Sequence, residues 1–245
     1  GRRYYLRQID DLINQIKFYI QKYNITGLQF YDLTAIVKKD WVIEFCKALK
    51  KENINLEWSL PSGTRSEALD REVLQALSEA NLKYLVYAPE SGSKKTLIDI
   101  KKKIKLPNME ESIRYAVREN ISVRANLIIG FPKETRLQVY RTMYQHLKFM
   151  FMGVEESPMF LFQPYPGTEL FDYLIKKQKI KLNDEYFNSL ASLSNGNLSP
   201  PDVTFNEHMG KYELFLYKMI GLVLGYSISY LTRPKRIFRT IKSLF

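Results

Sequence analysis

Five short apolar runs constrain this chain more than any other feature. Each ends in turn-forming residues, and helically spaced segments separate them. The runs are "ITGLQFYDLT", "INLEWSLPSG", "LKYLVYAPESGS", "ISVRANLIIGFP" and "VEESPMFLFQPYPG". Around them lie "QIDDLINQIKFYIQKYN", apolar at Ile9, Leu12, Ile13, Ile16, Tyr19 and Ile20, then "KKDWVIEFCKALKKEN" and "LDREVLQALSEAN", which Asp70 is placed to cap. "NMEESIRYAVREN", "TRLQVYRTMYQHLKFMFMG" and "TELFDYLIKKQ" complete the set. Strands separated by helices pair in parallel through right-handed crossovers. A helix opens the chain, which implies a strand ahead of Gly1. The pattern therefore predicts an α/β fold: a partial (β/α)6 TIM-like barrel missing its first strand, with a C-terminal helical extension. A doubly wound open sheet is the alternative. The lack of a Gly-x-Gly-x-x-Gly fingerprint after any strand counts against it.

The chain has 245 residues, 45% of them apolar, enough for one large core and an appendage. The alternation stops near Lys181, so residues 1–180 are assigned to the barrel and 181–245 to the extension. There "SNGNLSPPD" reads as a loop and "EHMGKYELFLYKMIGLVLGYSISYL" as a long helix. The helix's charge-free stretch, Met219 to Thr232, falls short of the ~20 residues that span a bilayer. A helix packed on the barrel or lying at an interface is expected. The single cysteine, Cys46, excludes an internal disulfide and any multi-cysteine metal site within these residues, and it fits a reducing, cytoplasmic setting. Gly1 at the start makes "GRRYYLR" read as the interior of a longer protein.

The net charge is +11. Much of it lies on helix faces as solvated lysines, and no RNA-binding signature accompanies it, so no nucleic-acid partner is expected. The end is different. "TRPKRIFRTIKSLF" carries Arg233, Lys235, Arg236, Arg239 and Lys242 among apolar residues, with no acid. That pattern suits peripheral membrane contact through 233–245, and hence membrane association, or else a terminal helix packed on the core.

In parallel α/β folds ligands sit outside the carboxyl ends of the strands. Those ends offer Asp32, Ser62 to Arg65, Glu90 to Ser93, Gly130 to Pro132, and Tyr165 to Thr168. Small residues there let backbone approach a ligand, although turn geometry alone also favours them. Gly-Phe-Pro is expected to end its strand and bare the last backbone groups, with Glu134 as a helix-start residue. His146 and His208 fall in predicted helices, away from the strand ends, so no general base stands out.

"YDLT", "APESGS", "LIIGFPKET" and "PYPGTELF", in that order and spacing, resemble the radical S-adenosylmethionine enzymes. More narrowly, they resemble the subgroup with an N-terminal cobalamin-binding domain. The resemblance covers roughly Gly1 to Lys177. It implies a 4Fe-4S cluster on a CxxxCxxC loop after the first strand, S-adenosylmethionine on that cluster, and possibly cobalamin. No such loop is present here; it lies before "GRRYYLR" or has been lost. By position, Asp32 resembles the acid that meets the methionine amino group, and Arg65 an arginine that pairs with a carboxylate. Glu90 and Ser91 resemble the polar strand end near the ribose or amino acid. Ile128 to Gly130 would pass the adenine, and Tyr165 would pack on its face. Arg124 is read as pointing into the barrel, where it needs an anionic partner. The family pattern has Gly where this chain has Asn126, and an acid one place before Glu134, which argues against both as direct contacts. The resemblance implies a radical enzyme with an electron donor, acting on a small-molecule or lipid-like substrate by methyl transfer or other radical carbon chemistry. Two alternatives stay open: a non-catalytic barrel relative that binds a nucleoside-like ligand or a partner, and an ordinary Lewis-acid or Schiff-base barrel enzyme.

Overall fold

The computed structural model describes residues 5–32, 36, 38–64, 66–193 and 198–242, with the side chains of 239–242 excepted. Arg65 lies outside the described residues. In chain order the elements are α1 (Ile9–Tyr23), β1 (Gly27–Gln29), α2 (Lys39–Lys51), β2 (Glu57–Thr64), α3 (Arg71–Glu79), β3 (Leu82–Glu90), α4 (Lys94–Asp99) and α5 (Leu106–Arg118). They continue with β4 (Ser122–Ile129), α6 (Arg136–Met152), β5 (Met159–Leu161), α7 (Glu169–Lys176), α8 (Asp184–Ser192), α9 (Lys211–Thr232) and α10 (Lys235–Lys242). All five expected strands form. They make one sheet in the order β1-β2-β3-β4-β5, the strand sequence of a partial barrel. β1 with β2, β2 with β3, and β4 with β5 pair in parallel.

Two features of the sheet depart from expectation. β2 does not end in Pro-Ser-Gly but runs through it to Thr64. Its register against β3 advances from Leu60↔Leu85 to Thr64↔Tyr87, so Pro-Ser-Gly is accommodated as a bulge. Two short helices, α4 and α8, also appear where none was expected. Ser93 caps the first through the Thr96 N–H (3.3 Å), and Asn183 caps the second through the Tyr186 N–H (2.9 Å).

The chain divides into two compact units. The first comprises Gly1–Tyr87 and Pro107–Arg124. Its helix α3 starts on Asp70, whose carboxylate accepts from the Val73 N–H at 3.0 Å, as the sequence predicts. An aromatic cluster fills its core: Phe30, Phe45 and Trp58 meet edge to face, Trp41 stacks on Phe45, and the Trp58 indole donates to Ala80 O at 2.7 Å. Cys46 is a buried core residue there, its thiol pushed up to about 12 by burial.

The second unit comprises Ala88–Leu106 and Ala125–Phe245, so the 181–245 segment packs within it. Ile129, Phe131, Leu161, Phe171, Leu174 and Leu214 centre its core. α9 lies on α6 and β5 through a small-residue seam of Gly221, Gly225 and Ser229. A Cβ on Gly225 would come within 2.6 Å of His146 Nε2, which explains the glycine. His146 is buried in this seam, with Nε2 2.9 Å from Gly221 O, and burial lowers its pKa. His208 is not helical. It sits exposed before α9, which begins only at Lys211.

Candidate functional site

The best-organised strand ends lie in the second unit, where two turns are tied together by buried polar groups. The turn after β4 begins with Gly130 at φ 87°, a conformation suited to glycine. The Gly130 N–H donates to Glu134 Oε2 at 2.7 Å, and the Phe131 N–H donates to the same oxygen at 3.3 Å. The other carboxylate oxygen accepts from Thr96 Oγ1 at 3.3 Å. Gln138 Nε2 donates to that threonine hydroxyl at 3.2 Å, while Gln138 Oε1 accepts from the Thr135 N–H at 2.8 Å, part of a capping box that starts α6. Asn206 holds the turn from outside, donating to Phe131 O (2.6 Å) and Glu134 O (2.9 Å).

Glu134 is therefore not a helix-start residue. It precedes the cap Thr135 and is only 2% exposed. It also takes the N–H groups that the turn was expected to bare. Burial pushes its pKa up to about 7, against the backbone and Thr96 hydrogen bonds that lower it. The signal in the sequence is a carboxylate four residues after a strand-ending glycine, close enough to cap that turn's own donors.

The turn after β3 is equally constrained. Glu90 has φ 65°, uncommon for a residue with a side chain, and its carboxylate takes Lys102 Nζ at 3.0 Å. Ser91 is fully buried. Its hydroxyl lies 2.9 Å from Thr142 Oγ1 and accepts from the Ser93 N–H at 3.0 Å. The Gly92 N–H donates to Thr142 Oγ1 at 3.2 Å, and a Cβ on Gly92 would meet Arg141 O at 2.5 Å. Ser93 then caps α4, which carries Thr96 to Glu134. The two turns thus form one network from Ser91 to Gly130. Thr96, Gln138 and Thr142, its helical members, were not foreseen because nothing local in the sequence marks them.

Beside this network is a cavity of about 450 Å³, lined by Thr96, Lys101, Phe131, Glu134, Thr168 and Tyr173 among others. Its walls come from α4 and the residues after it, the turn into α6 and the start of α7; Glu90, Ser91, Ile128, Gly130 and Tyr165 are not among its lining residues, and its volume suits a small molecule. Ile128 is half-buried in β4, opposite Phe160 of β5. Tyr165 is 55% exposed after β5, with its hydroxyl on the Gln163 side chain. Glu90, Ser91, Ile128, Gly130 and Tyr165 thus all belong to the second unit.

Asp32 and Arg124 belong to the first. Asp32 follows β1 and lines a cavity of about 220 Å³ with Arg7, Phe30, Trp41 and Trp58. Arg124 is half-buried in β4 and is engaged by another group. Among the described residues no cluster of three His, Cys, Asp or Glu is placed to hold a metal ion.

Residues 1–143 match the model of the Radical SAM superfamily. An uncharacterized methyltransferase of Pyrococcus horikoshii is 26% identical over 175 residues, covering 71% of this chain and 37% of that protein. The cytidylyl-2-hydroxyethylphosphonate methyltransferase of Streptomyces wedmorensis is 24% identical, with 72% and 34% covered. The chain thus spans about a third of the length of these relatives. A radical S-adenosylmethionine methyltransferase of Kitasatospora setae, TsrM, solved with cobalamin and a 4Fe-4S cluster, aligns with a TM-score of 0.59 at 15% identity, covering 72% of this chain and 33% of that one.

Proposed function

Because the chain belongs to the radical S-adenosylmethionine superfamily, we propose that it is the barrel core of a cobalamin-dependent radical enzyme. Its reaction would be methyl transfer, or related radical chemistry, on a carbon of a small-molecule substrate. The observation that carries this reading is the rigid pair of turns at Glu90–Ser93 and Gly130–Glu134, at the strand ends where the family pattern places the nucleoside. The methyltransferase names of two relatives support the reaction type.

The residues present do not fit an iron–sulfur cluster. Such clusters need several thiolates, and the one cysteine, Cys46, is buried in α2 with its thiol held neutral. The reading therefore draws cluster ligands from outside these residues. Each unit, taken by itself, offers groups that suit S-adenosylmethionine. Asp32 is an exposed carboxylate beside apolar aromatic walls, the partner an ammonium group calls for. Ile128 to Gly130 would present backbone to the adenine. Their placement relies on Glu134, which fixes the turn by accepting its N–H groups. Tyr165 would offer a ring face. The Ser91 hydroxyl, already engaged by Thr142, would hold its turn and not touch ligand. When bound, S-adenosylmethionine supplies a methyl group or a radical precursor; the chain's own task is to orient it and exclude water.

The test is equilibrium binding of S-adenosylmethionine to the full-length, cluster-reconstituted protein, with Asp32→Asn beside it. Roughly tenfold weaker binding by the variant is expected for a charge-assisted contact. Absence of binding by the wild type would sink the reading. Binding with no turnover to 5′-deoxyadenosine or S-adenosylhomocysteine would favour the non-catalytic relative, which the lone buried Cys46 also suits. A cobalamin absorption spectrum in the purified protein decides the second cofactor.

A further inference from the structure

α9 is apolar on the side its neighbours leave uncovered. Tyr212, Leu216, Ile220, Val223, Tyr226 and Leu231 are all exposed, Leu231 at 84%. Their helical spacing spreads them along one face from the first turn to the last, and Ser227 is the polar residue that interrupts it. The opposite face is committed to α6 and β5 through Leu214, Lys218, Gly221, Gly225 and Ser229. On α6, Leu137, Tyr140, Tyr144 and Phe151 are exposed as well. The Tyr140 ring meets Tyr217 of α9 edge to face at 5.6 Å, so the two apolar faces join. Soluble surfaces rarely leave so long an apolar stripe open, and such stripes mark interaction sites.

Charge indicates what covers it. From Leu214 to Phe245 there is no Asp or Glu, while Lys218, Arg233, Lys235, Arg236, Arg239 and Lys242 are basic. α10 turns back at the end of α9 and is fixed there by Arg236. That guanidinium donates to Gly153 O (2.7 Å), Val154 O (2.9 Å) and Ser229 Oγ (2.8 Å), and lies 3.0 Å from Glu155. Arg236 is thus structural. Lys235 is exposed, and Phe238, 75% exposed, extends the apolar face next to it. An apolar stripe that ends in the exposed Lys235 and Phe238, on a stretch of sequence without acids of its own, complements a surface that is hydrocarbon within and anionic at its edge.

We infer that the outer face of α9, continued by α6 and α10, docks in the plane of an anionic lipid bilayer. This moves the expected contact from residues 233–245 alone to a surface built mainly on α9. α9, at 22 residues, is long and apolar enough to cross a membrane by length and composition alone. The charge-free count had judged it too short. Crossing would strip α9 from α6 and bare His146 and Lys218 to lipid; lying in the interface keeps that seam closed.

Flotation of the full-length protein with phosphatidylcholine vesicles, with and without phosphatidylglycerol, tests this. Binding to the mixed vesicles and weak binding to phosphatidylcholine alone are expected. Replacing Leu216, Val223 and Leu231 together by glutamate should lower the partition coefficient roughly tenfold or more, and Lys235→Glu should weaken the phosphatidylglycerol preference. Val223→Trp provides a second readout: its emission should be quenched by brominated lipid. Wild-type protein that stays unbound with both vesicles overturns the inference, as does the absence of quenching. Unchanged flotation of the triple variant overturns it too. So does self-association that this variant abolishes without any lipid binding, which would assign the face to a second copy.

Discussion

The turn after β4 and the outer face of α9 break the usual ordering of a folded chain in opposite directions. At the turn and the network that holds it, a carboxylate, three hydroxyls and an amide lie buried, each with a hydrogen-bonding partner. On α9, leucine, isoleucine and valine side chains face outward along the helix. Buried polar groups are costly to place and exposed apolar faces are costly to keep. The difference lies in what each would lose. The turn holds its geometry only while every partner is present, so its chemistry is precision. The helix face can lose single side chains without harm to the fold, so its chemistry is area.

Truncating Glu134 tests the first half of that contrast most severely. Glu134→Ala leaves the Gly130 and Phe131 N–H groups buried without their acceptor, and should cost about 3 kcal/mol in denaturant unfolding. At pH 4.5, where Glu134 is protonated in the fold, Glu134→Gln keeps a carbonyl for both donors and turns its amide NH2 toward Thr96, so it should lose about 1 kcal/mol or less. Equal losses for the two variants would show that the network is not what holds the turn.

The next effect concerns pH. The folded pKa of Glu134, about 7, is raised above its ordinary value of 4.5. Between those values the folded state binds more protons than the unfolded state, so the Glu134 contribution falls as pH rises from 4.5 to 7 and is fully lost above that window. The wild type should lose about 3 kcal/mol relative to Glu134→Gln across it, by the size of the shift. Comparing the two proteins cancels His146, whose lowered pKa acts in the opposite sense, removing stability as pH falls through 6.5.

Between turn and outer face lies the seam. Gly225→Ala sets a methyl 2.6 Å from the His146 ring and should cost about 2 kcal/mol, read as a drop in Tm. On the outer face the effect on folding should nearly vanish. Leu216→Ser or Leu231→Ser should change stability by about 0.5 kcal/mol or less while vesicle binding declines. A large stability loss from either would mean that the face is packed and not open.

Much of the architecture was legible because it is written locally. Strand–helix alternation and the Asp70 cap each depend on a few neighbouring residues, and both hold. α4 escaped notice because six lysine-rich residues carry little periodicity, although Ser93 marks its start. The role of Glu134 was missed for another reason. Thr96 lies 38 residues away, and only the fold brings that hydroxyl to the carboxylate. For α9 the sequence leaves open a helix packed on the barrel or lying at an interface; only its packing shows which half is covered.

Arg236 ties α10 to the carbonyls at the end of α6. The other end of α6 begins with the capping box beside Glu134. A helix of 17 residues is a stiff rod of about 25 Å. The anchor of α10 and the capping box beside the Gly130 turn are thus the two ends of one continuous helix, so the outer surface and the polar network share a single structural member.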